Sequence, residues 1–392
     1  MKILIVHNHY QAAGGEDEVV ASEKHMLERN GHKVILYTRS NKDIDQFSFP
    51  AKVSFVLKEA YWSRATYQAL QALIHHEKPD IAHIHNTFLL VSPSVYDACR
   101  DENLPVVQTL HNYRFLCPNG VFYRDGHVCE DCLHQGLASA VVHKCWKDSY
   151  LSSGVMVRII HEMKRREIFT KKINHYIALT EFSKKKFVDN GFPENKISIK
   201  PNFLGQDPGL SPAPGTFGLF VGALRDYKGI EPLVKAWEGV EDPFSLKIIG
   251  DGPLRQVLET RSQKRIEWLG AKPLAESLSL MKESLFVVVP SQCYETFSRV
   301  TMEAFACGKP VIAPRRGVFN ELIENGKTGL LFDPQVQGDL TSKMNQLVLN
   351  RPWAQQMGQR ARRVYEERFT VEKNYKMLMF IYERAKTLGY VG

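Results

Sequence analysis

Two glutamates with seven residues between them, Glu295 and Glu303 in YETFSRVTMEAFACGKPVIAP, form the most chemically specific pattern in the chain. The preceding apolar run ends at Pro290, and a helix is expected to start near Phe297. Glu295 then falls in a loop above a strand end, and Glu303 lies about two turns into the helix. At ~1.5 Å rise per residue the two carboxylates could stand on the order of 10 Å apart. Carboxylates accept hydrogen bonds from vicinal hydroxyls, so this span suits a hexose at one end and a ribose at the other. Backbone N–H groups at the helix start, around Phe297, Ser298 and Arg299, would face an anion. On spacing alone, two surface glutamates on an ordinary helix explain the pattern about as well.

Neighbouring segments change that balance. GALRDYKG (222–229) follows an apolar run and opens a helix, bringing Gly222, Arg225 and Lys228 to one strand end. Two cations in a glycine-flanked loop suit a diphosphate whose charge must be neutralised as it leaves. IIGDGP (248–253) is another strand-to-loop transition, where Gly250 and Gly252 would let a ligand approach the backbone. IEWLG (266–270) ends a further strand. Near the N-terminus, Gly14, Gly15 and Glu16 stand between a first strand and a helix, another potential phosphate contact. His111 in QTLHNYRF lies at an expected strand end. Each of these loops alone is more often an ordinary turn, and a lone histidine is more often structural.

The elements that must position these residues alternate between short β-branched runs and helical stretches, the signature of a parallel sheet covered on both faces. Strands are expected at 3–6, 33–37, 81–85, 106–111 and 175–179, then again at 219–221, 246–249, 266–269, 286–289 and 311–313. Open α/β sheets bind ligands at the carboxyl ends of such strands. With 392 residues the chain is too long for one ordinary core. We expect an N-terminal domain over 1–204, a Pro/Gly-rich linker over 205–218 and a C-terminal domain over 219–370. Beyond them lies a C-terminal helix over 371–392, with apolar positions Tyr375, Leu378, Met379 and Tyr382, that could return to the first domain.

No uncharged apolar run approaches the ~20 residues of a membrane span, and the run at 3–6 is too short for a signal-peptide core. A cytoplasmic protein is the expectation. The net charge of +8 calls for an anionic partner: nucleic acid, an anionic membrane surface or a phosphorylated substrate. No nucleic-acid motif accompanies the charge, so nucleic acid ranks last. RIIHEMKRREIFTKK (158–172) and FVLKEAYWSRATYQALQALI (55–74) look amphipathic, with Tyr61 and Trp62 as candidate interface anchors. Peripheral docking on the inner face of the cytoplasmic membrane is therefore a possibility, against the blander reading of solvated helix faces.

Seven cysteines occur, and Cys117, Cys129, Cys132 and Cys145 crowd an insertion over about 114–149 with the spacing C-x11-C-x2-C-x12-C. A cytosolic chain has little use for disulfides. A closed tetrahedral zinc site is one reading of the spacing, with His127, His134 and His143 as substitute ligands. Four reduced thiols are the alternative. Four sulfur ligands would leave no open position, so such a zinc would be structural and not catalytic.

Taken in order, GGED, HIHN (83–86), TLHNY, ALTEFSKKKF, KPNF (200–203), GALRDYKG, IIGDGP, EWLG and the E-x7-E block resemble glycosyltransferase family 4, retaining enzymes of the GT-B fold. The resemblance implies two Rossmann-like domains facing a central cleft, and transfer of a hexose-type sugar from a UDP- or GDP-sugar to a glycan or lipid-linked acceptor in cell-surface polysaccharide synthesis. It assigns the sugar hydroxyls to Glu295, the ribose hydroxyls to Glu303, the sugar and phosphates to backbone at 297–299, the diphosphate to Lys228, and the donor sugar near the reacting carbon to His111. No cofactor is implied for the chemistry. Two departures stand out: Ala223 occupies a place the family usually gives to arginine, with Arg225 as the neighbouring substitute, and Ser298 occupies one often held by glycine, where it would narrow the sugar pocket. An epimerase or hydrolase of the same fold, or a non-catalytic sugar-nucleotide-binding scaffold, is the alternative. A nicotinamide-dependent dehydrogenase is disfavoured because no G-x-G-x-x-G follows the first strand.

Overall fold

The computed structural model describes residues 1–11, 14–210, 215–241, 243–261 and 265–388. The chain forms two compact units. The first comprises 1–121, 130–205 and 371–392, and the second 122–129 and 206–370. The expected linker falls across this boundary, and its positions 211–214 lie outside the described residues.

The first unit is built on β1 (Lys2–His9), β2 (Lys33–Ser40), β3 (Ile81–Ile84) and β4 (Val106–Thr109). A two-stranded hairpin of β5 (Tyr123–Arg124) and β6 (His127–Val128) follows and belongs to the second unit. The first sheet then resumes with β7 (His175–Ala178) and β8 (Ile197–Ile199). Its order is β2-β1-β3-β4-β7-β8, with every pairing parallel. Position in the sheet explains the residue patterns. β1 is flanked on both sides, so Ile3, Leu4, Ile5 and Val6 are all fully buried, whereas β2 at the edge keeps Leu36 exposed.

The second unit repeats the plan with β9 (Phe217–Val221), β10 (Ser245–Ile249), β11 (Ile266–Gly270), β12 (Phe286–Val288), β13 (Val311–Pro314) and β14 (Gly329–Phe332). These pair in the order β11-β10-β9-β12-β13-β14, again all parallel. Trp237, Phe244 and Phe286 anchor its core beside Leu246, Ile248 and Met344. Gly218 is glycine for a packing reason: a β-carbon there would stand 2.6 Å from the Trp237 ring.

The C-terminal helix, Val371–Leu388, belongs to the first unit. Its inward stripe is Asn374, Leu378, Ile381, Tyr382 and Ala385. Tyr375 lies on the stripe's margin and bonds His32 Nε2 at 2.9 Å, and Met379 is only half-buried.

Two expectations need correcting. The insertion over 114–149 is not one block, because the chain enters the second unit for 122–129 and then returns. The apolar residues assigned to a membrane-facing side are core residues. Ile159, Ile160, Met163, Ile168 and Phe169 are all buried, Trp62 Nε1 donates to Asp97 at 2.7 Å, and Tyr61 lies under the Arg158 guanidinium at 4.1 Å. Helical periodicity marks which face is apolar but cannot say whether protein or lipid covers it. Among the described residues no helix is long and apolar enough to cross a membrane.

Candidate functional site

In the second unit, the ends of β9 and β12 bring the predicted donor residues together. After β9 a short 3-10 turn, Asp226–Lys228, ends on Gly229 in the left-handed region (φ 71°). Any β-carbon at Gly229 would stand 2.0 Å from the Pro290 carbonyl oxygen, so glycine is required for this turn to lie against the β12 loop. The turn delivers Lys228, whose Nζ lies 2.8 Å from Glu295 Oε1. Ser291 Oγ donates to the same carboxylate oxygen at 2.5 Å. Burial pulls the Lys228 ammonium toward neutrality, but the Glu295 carboxylate more than reverses this, so the ammonium is held above its ordinary range. A fixed, partly exposed cation beside an oriented carboxylate is suited to binding a sugar diphosphate. Arg225 is exposed at the head of the same turn.

The helix after this loop runs Arg299–Ala306, capped by Ser298. It therefore begins two residues later than expected, and Glu303 sits a little over one turn in, not two. Glu303 is 5% exposed and meets the Arg299 guanidinium at 3.2 Å. Ser298, expected to narrow the sugar pocket, is the N-cap of this helix. Its side chain is buried and accepts from the Thr301 amide and, at 2.9 Å, pairs with the Thr301 hydroxyl. Phe297 packs its ring on Phe369 (centroids 5.8 Å), leaving its backbone as the part available to a ligand.

Gly250 and Gly252 also meet a packing requirement of the fold. A β-carbon on Gly250 would stand 1.9 Å from the Gly222 carbonyl oxygen, and one on Gly252 2.5 Å from that of Leu224. These glycines let the loop after β10 pack on the loop carrying Arg225 and Lys228, so the close approach is between two backbones.

The carboxyl ends of the first sheet carry the other predicted residues. Gly14 caps the first helix, Gly15–Arg29, and its N–H donates to Asp17 Oδ2 at 2.9 Å, so the amide is already engaged by the chain's own carboxylate. Asp17 in turn receives His7 Nε2 at 2.8 Å and His9 Nδ1 at 2.7 Å. Three acidic residues in the helix's first turn oppose an incoming anion. Burial relieves part of this by pushing the Glu16 carboxyl up to about 8, against the pull of Arg114, so it is largely protonated near neutral pH. Tyr10 OH donates to it at 3.1 Å. His111 stacks on His85, with ring centroids 5.1 Å apart and planes at 21°.

Several residues here were not found from sequence. Ser291 orients Glu295, and Arg316 holds the Gln292 carbonyl at 2.5 Å. Tyr123, on the hairpin, donates to Gln292 Oε1 at 3.1 Å. Arg114, 8% exposed, is surrounded by the rings of Tyr10, Phe88 and Trp146, the last at 4.4 Å. None falls in a motif of its own. An arginine flanked by aromatics at distant positions leaves no local trace in a sequence. Of the four cysteines, Cys117 is buried, and Cys129, Cys132 and Cys145 are half-buried.

Comparisons with known proteins agree with this layout. Residues 13–204 match the model described as Glycosyltransferase Family 4, and residues 209–364 the one described as Glycosyl transferases group 1. An uncharacterised glycosyltransferase of Methanocaldococcus jannaschii is 32% identical over half of this chain and 57% of its own length. The α-monoglucosyldiacylglycerol synthase of Streptococcus pneumoniae is 21% identical over 84% of this chain and 74% of its own. The matched stretch spans about half the length of the first curated relatives. Among solved structures, the Anabaena protein HepE in complex with UDP and glucose aligns over 97% of this chain and 98% of its own, with a TM-score of 0.67 at 19% identity. The two parallel sheets, the strand-end loops and the two family matches in tandem place this chain in glycosyltransferase family 4, with the GT-B fold.

Proposed function

We propose that this chain is a retaining glycosyltransferase that moves a hexose-type sugar from a UDP- or GDP-sugar to a glycan or lipid-linked acceptor. The observation that carries the reading is the Lys228–Glu295 pair at the ends of β9 and β12. It sets a cation and a hydroxyl-binding carboxylate side by side, as a sugar diphosphate requires. UDP in the Anabaena neighbour and the glycolipid product named for the pneumococcal relative support the donor and acceptor classes. In this reading Lys228, with Arg225 beside it, stabilises the departing diphosphate. Glu295 orients the sugar hydroxyls, Glu303 the ribose, and His111 stands against the sugar near its reacting carbon. No nucleophilic side chain is assigned opposite the sugar, so the departing phosphate itself assists deprotonation of the acceptor on the same face. The acceptor is presented at an anionic, cytoplasmic-face surface in cell-surface polysaccharide synthesis. Because the apolar helix faces are buried, that docking rests on charge alone, from exposed Arg158, Lys164 and Arg165.

The test is a thermal-shift screen against UDP- and GDP-sugars with wild type and Glu303→Ala, followed by transfer assays with glycan acceptors and with anionic vesicles carrying lipid acceptors. One donor at about a hundred times its Kd should stabilise wild type by ~2.7 kcal/mol, several degrees in Tm, and most of that shift should vanish in the variant. A wild type that no donor shifts would sink the reading.

The cysteine spacing supports a second proposal, a structural zinc on Cys117, Cys129, Cys132 and Cys145. Four thiolates form a closed set that fits zinc. Elemental analysis of protein purified without added metal should find about one zinc per chain, lost in Cys129→Ser/Cys132→Ser. Metal-free protein with unchanged stability would refute it.

A further inference from the structure

A fully buried set of polar side chains reaches His111 from the interior of the first unit. Glu23, on the first helix, and Lys200, just after β8, are both 0% exposed. Lys200 Nζ lies 2.5 Å from Glu23 Oε1 and 3.0 Å from Asn374 Oδ1 on the C-terminal helix. The other carboxylate oxygen, Glu23 Oε2, has no hydrogen-bond partner within normal range, and neither has His85 Nε2. These two water-excluded atoms face each other at 3.4 Å.

Their pairing decides where a proton sits. Unpaired buried polar atoms are costly, and a carboxylate can only accept. Both atoms are satisfied together only when His85 Nε2 carries the hydrogen. Burial holds the His85 ring well below its usual range, so it is neutral and has one ring proton. Its Nδ1 is then an acceptor, and the partner there is His111 Nε2 at 2.9 Å. His111 must therefore donate from Nε2. His83, stacked on His85 at 4.1 Å, also stands 3.5 Å from Glu23 Oε2 through Nδ1, but the Tyr382 hydroxyl meets that nitrogen more closely, at 2.9 Å, and Thr109 Oγ1 meets its Nε2 at 2.7 Å. Glu23, His83 and His85 could in principle hold a metal, but the Lys200 ammonium already supplies the positive charge at that carboxylate.

We propose that Glu23 and His85 are positioning residues that fix His111 with its proton on Nε2, so that any hydrogen bond its ring makes to a ligand is accepted at Nδ1. His111 is then matched to a sugar hydroxyl, which donates, and mismatched to a uronate carboxylate, which cannot. The ligand side of this inference rests on the reading of His111 as a donor-sugar contact. The tautomer itself does not.

Two-bond proton–nitrogen NMR correlations on protein labelled with 15N-histidine read the tautomers directly, with His85 and His111 assigned through His85→Gln and His111→Gln. In the ligand-free wild type both rings should show the neutral Nε2–H pattern. An Nδ1–H pattern at either ring, or a mixture, overturns the proposal. In Glu23→Leu/Lys200→Met, which removes both buried charges together, the single-tautomer pattern should be lost at both rings. Its persistence there would show that Glu23 is not the determinant. Adding the donor separates the two levels: unmoved His111 resonances with the tautomer intact fail the sugar-contact reading alone, and a wrong tautomer fails this proposal whether or not the donor binds.

Discussion

Replacing Glu295 with glutamine should lower transfer by about 10²–10³-fold while leaving the fold intact. Glutamine keeps the shape and one oxygen for Ser291, but it removes the charge that orients Lys228. The Lys228 side chain is 30% exposed, so water can solvate the ammonium left behind, and an ion pair of that exposure contributes only ~0–1 kcal/mol to stability. The loss should therefore fall on kcat if, as proposed, the carboxylate and the cation it places act on the sugar and on the diphosphate as charge develops. Lys228→Met should lower kcat to a similar extent. The double variant should cost far less than the product of the two, since the residues act as one unit. Steady-state kinetics with the donor found by the thermal screen provides the measurement. A kcat within threefold of wild type in Glu295→Gln would remove this pair from the chemistry.

Most of this site could be read from the sequence because its parts are local. A strand, a glycine-bounded turn and a helix start succeed one another within twenty residues, and hydrophobic period and turn residues mark each of them. The ten expected strands all exist, while the edge strands β8 and β14 and the two-residue strands of the hairpin were missed. Boundaries failed where side-chain capping decides them. Ser298 is the helix cap, which moved the helix start and with it the depth of Glu303. The glycines of 248–253 marked a close approach, and one partner in it is the backbone of the loop after β9. What the sequence could not show were contacts between positions far apart in the chain. Lys200 and Glu23 are separated by 177 positions, and nothing near either predicts that a lysine and a glutamate will both be sealed from water.

That sealed pair should make Lys200→Met among the most destabilising single substitutions in the first unit, at about 3–5 kcal/mol. Methionine fills nearly the same volume, so little of the cost is packing. It comes from leaving Glu23 ionised and uncompensated, or forcing it to take up a proton. In the native chain burial pushes the Glu23 carboxyl upward, but the Lys200 charge overrides it and holds the group below its usual range. Without Lys200 the desolvation is unopposed. Glu23→Leu fails for the mirror reason, stranding the ammonium with only Asn374 as a neutral partner. Removing both charges in Glu23→Leu/Lys200→Met should recover most of the loss, because a buried pair replaced by apolar side chains is often near neutral in stability. Calorimetry should show the first unit's transition falling by about 10 °C in each single variant, at ~2–4 °C per kcal/mol, and returning toward wild type in the double. Single variants no worse than the double would mean that the pair is solvated in the folded protein, and Glu23 could then no longer be the anchor that orients His85 and His111.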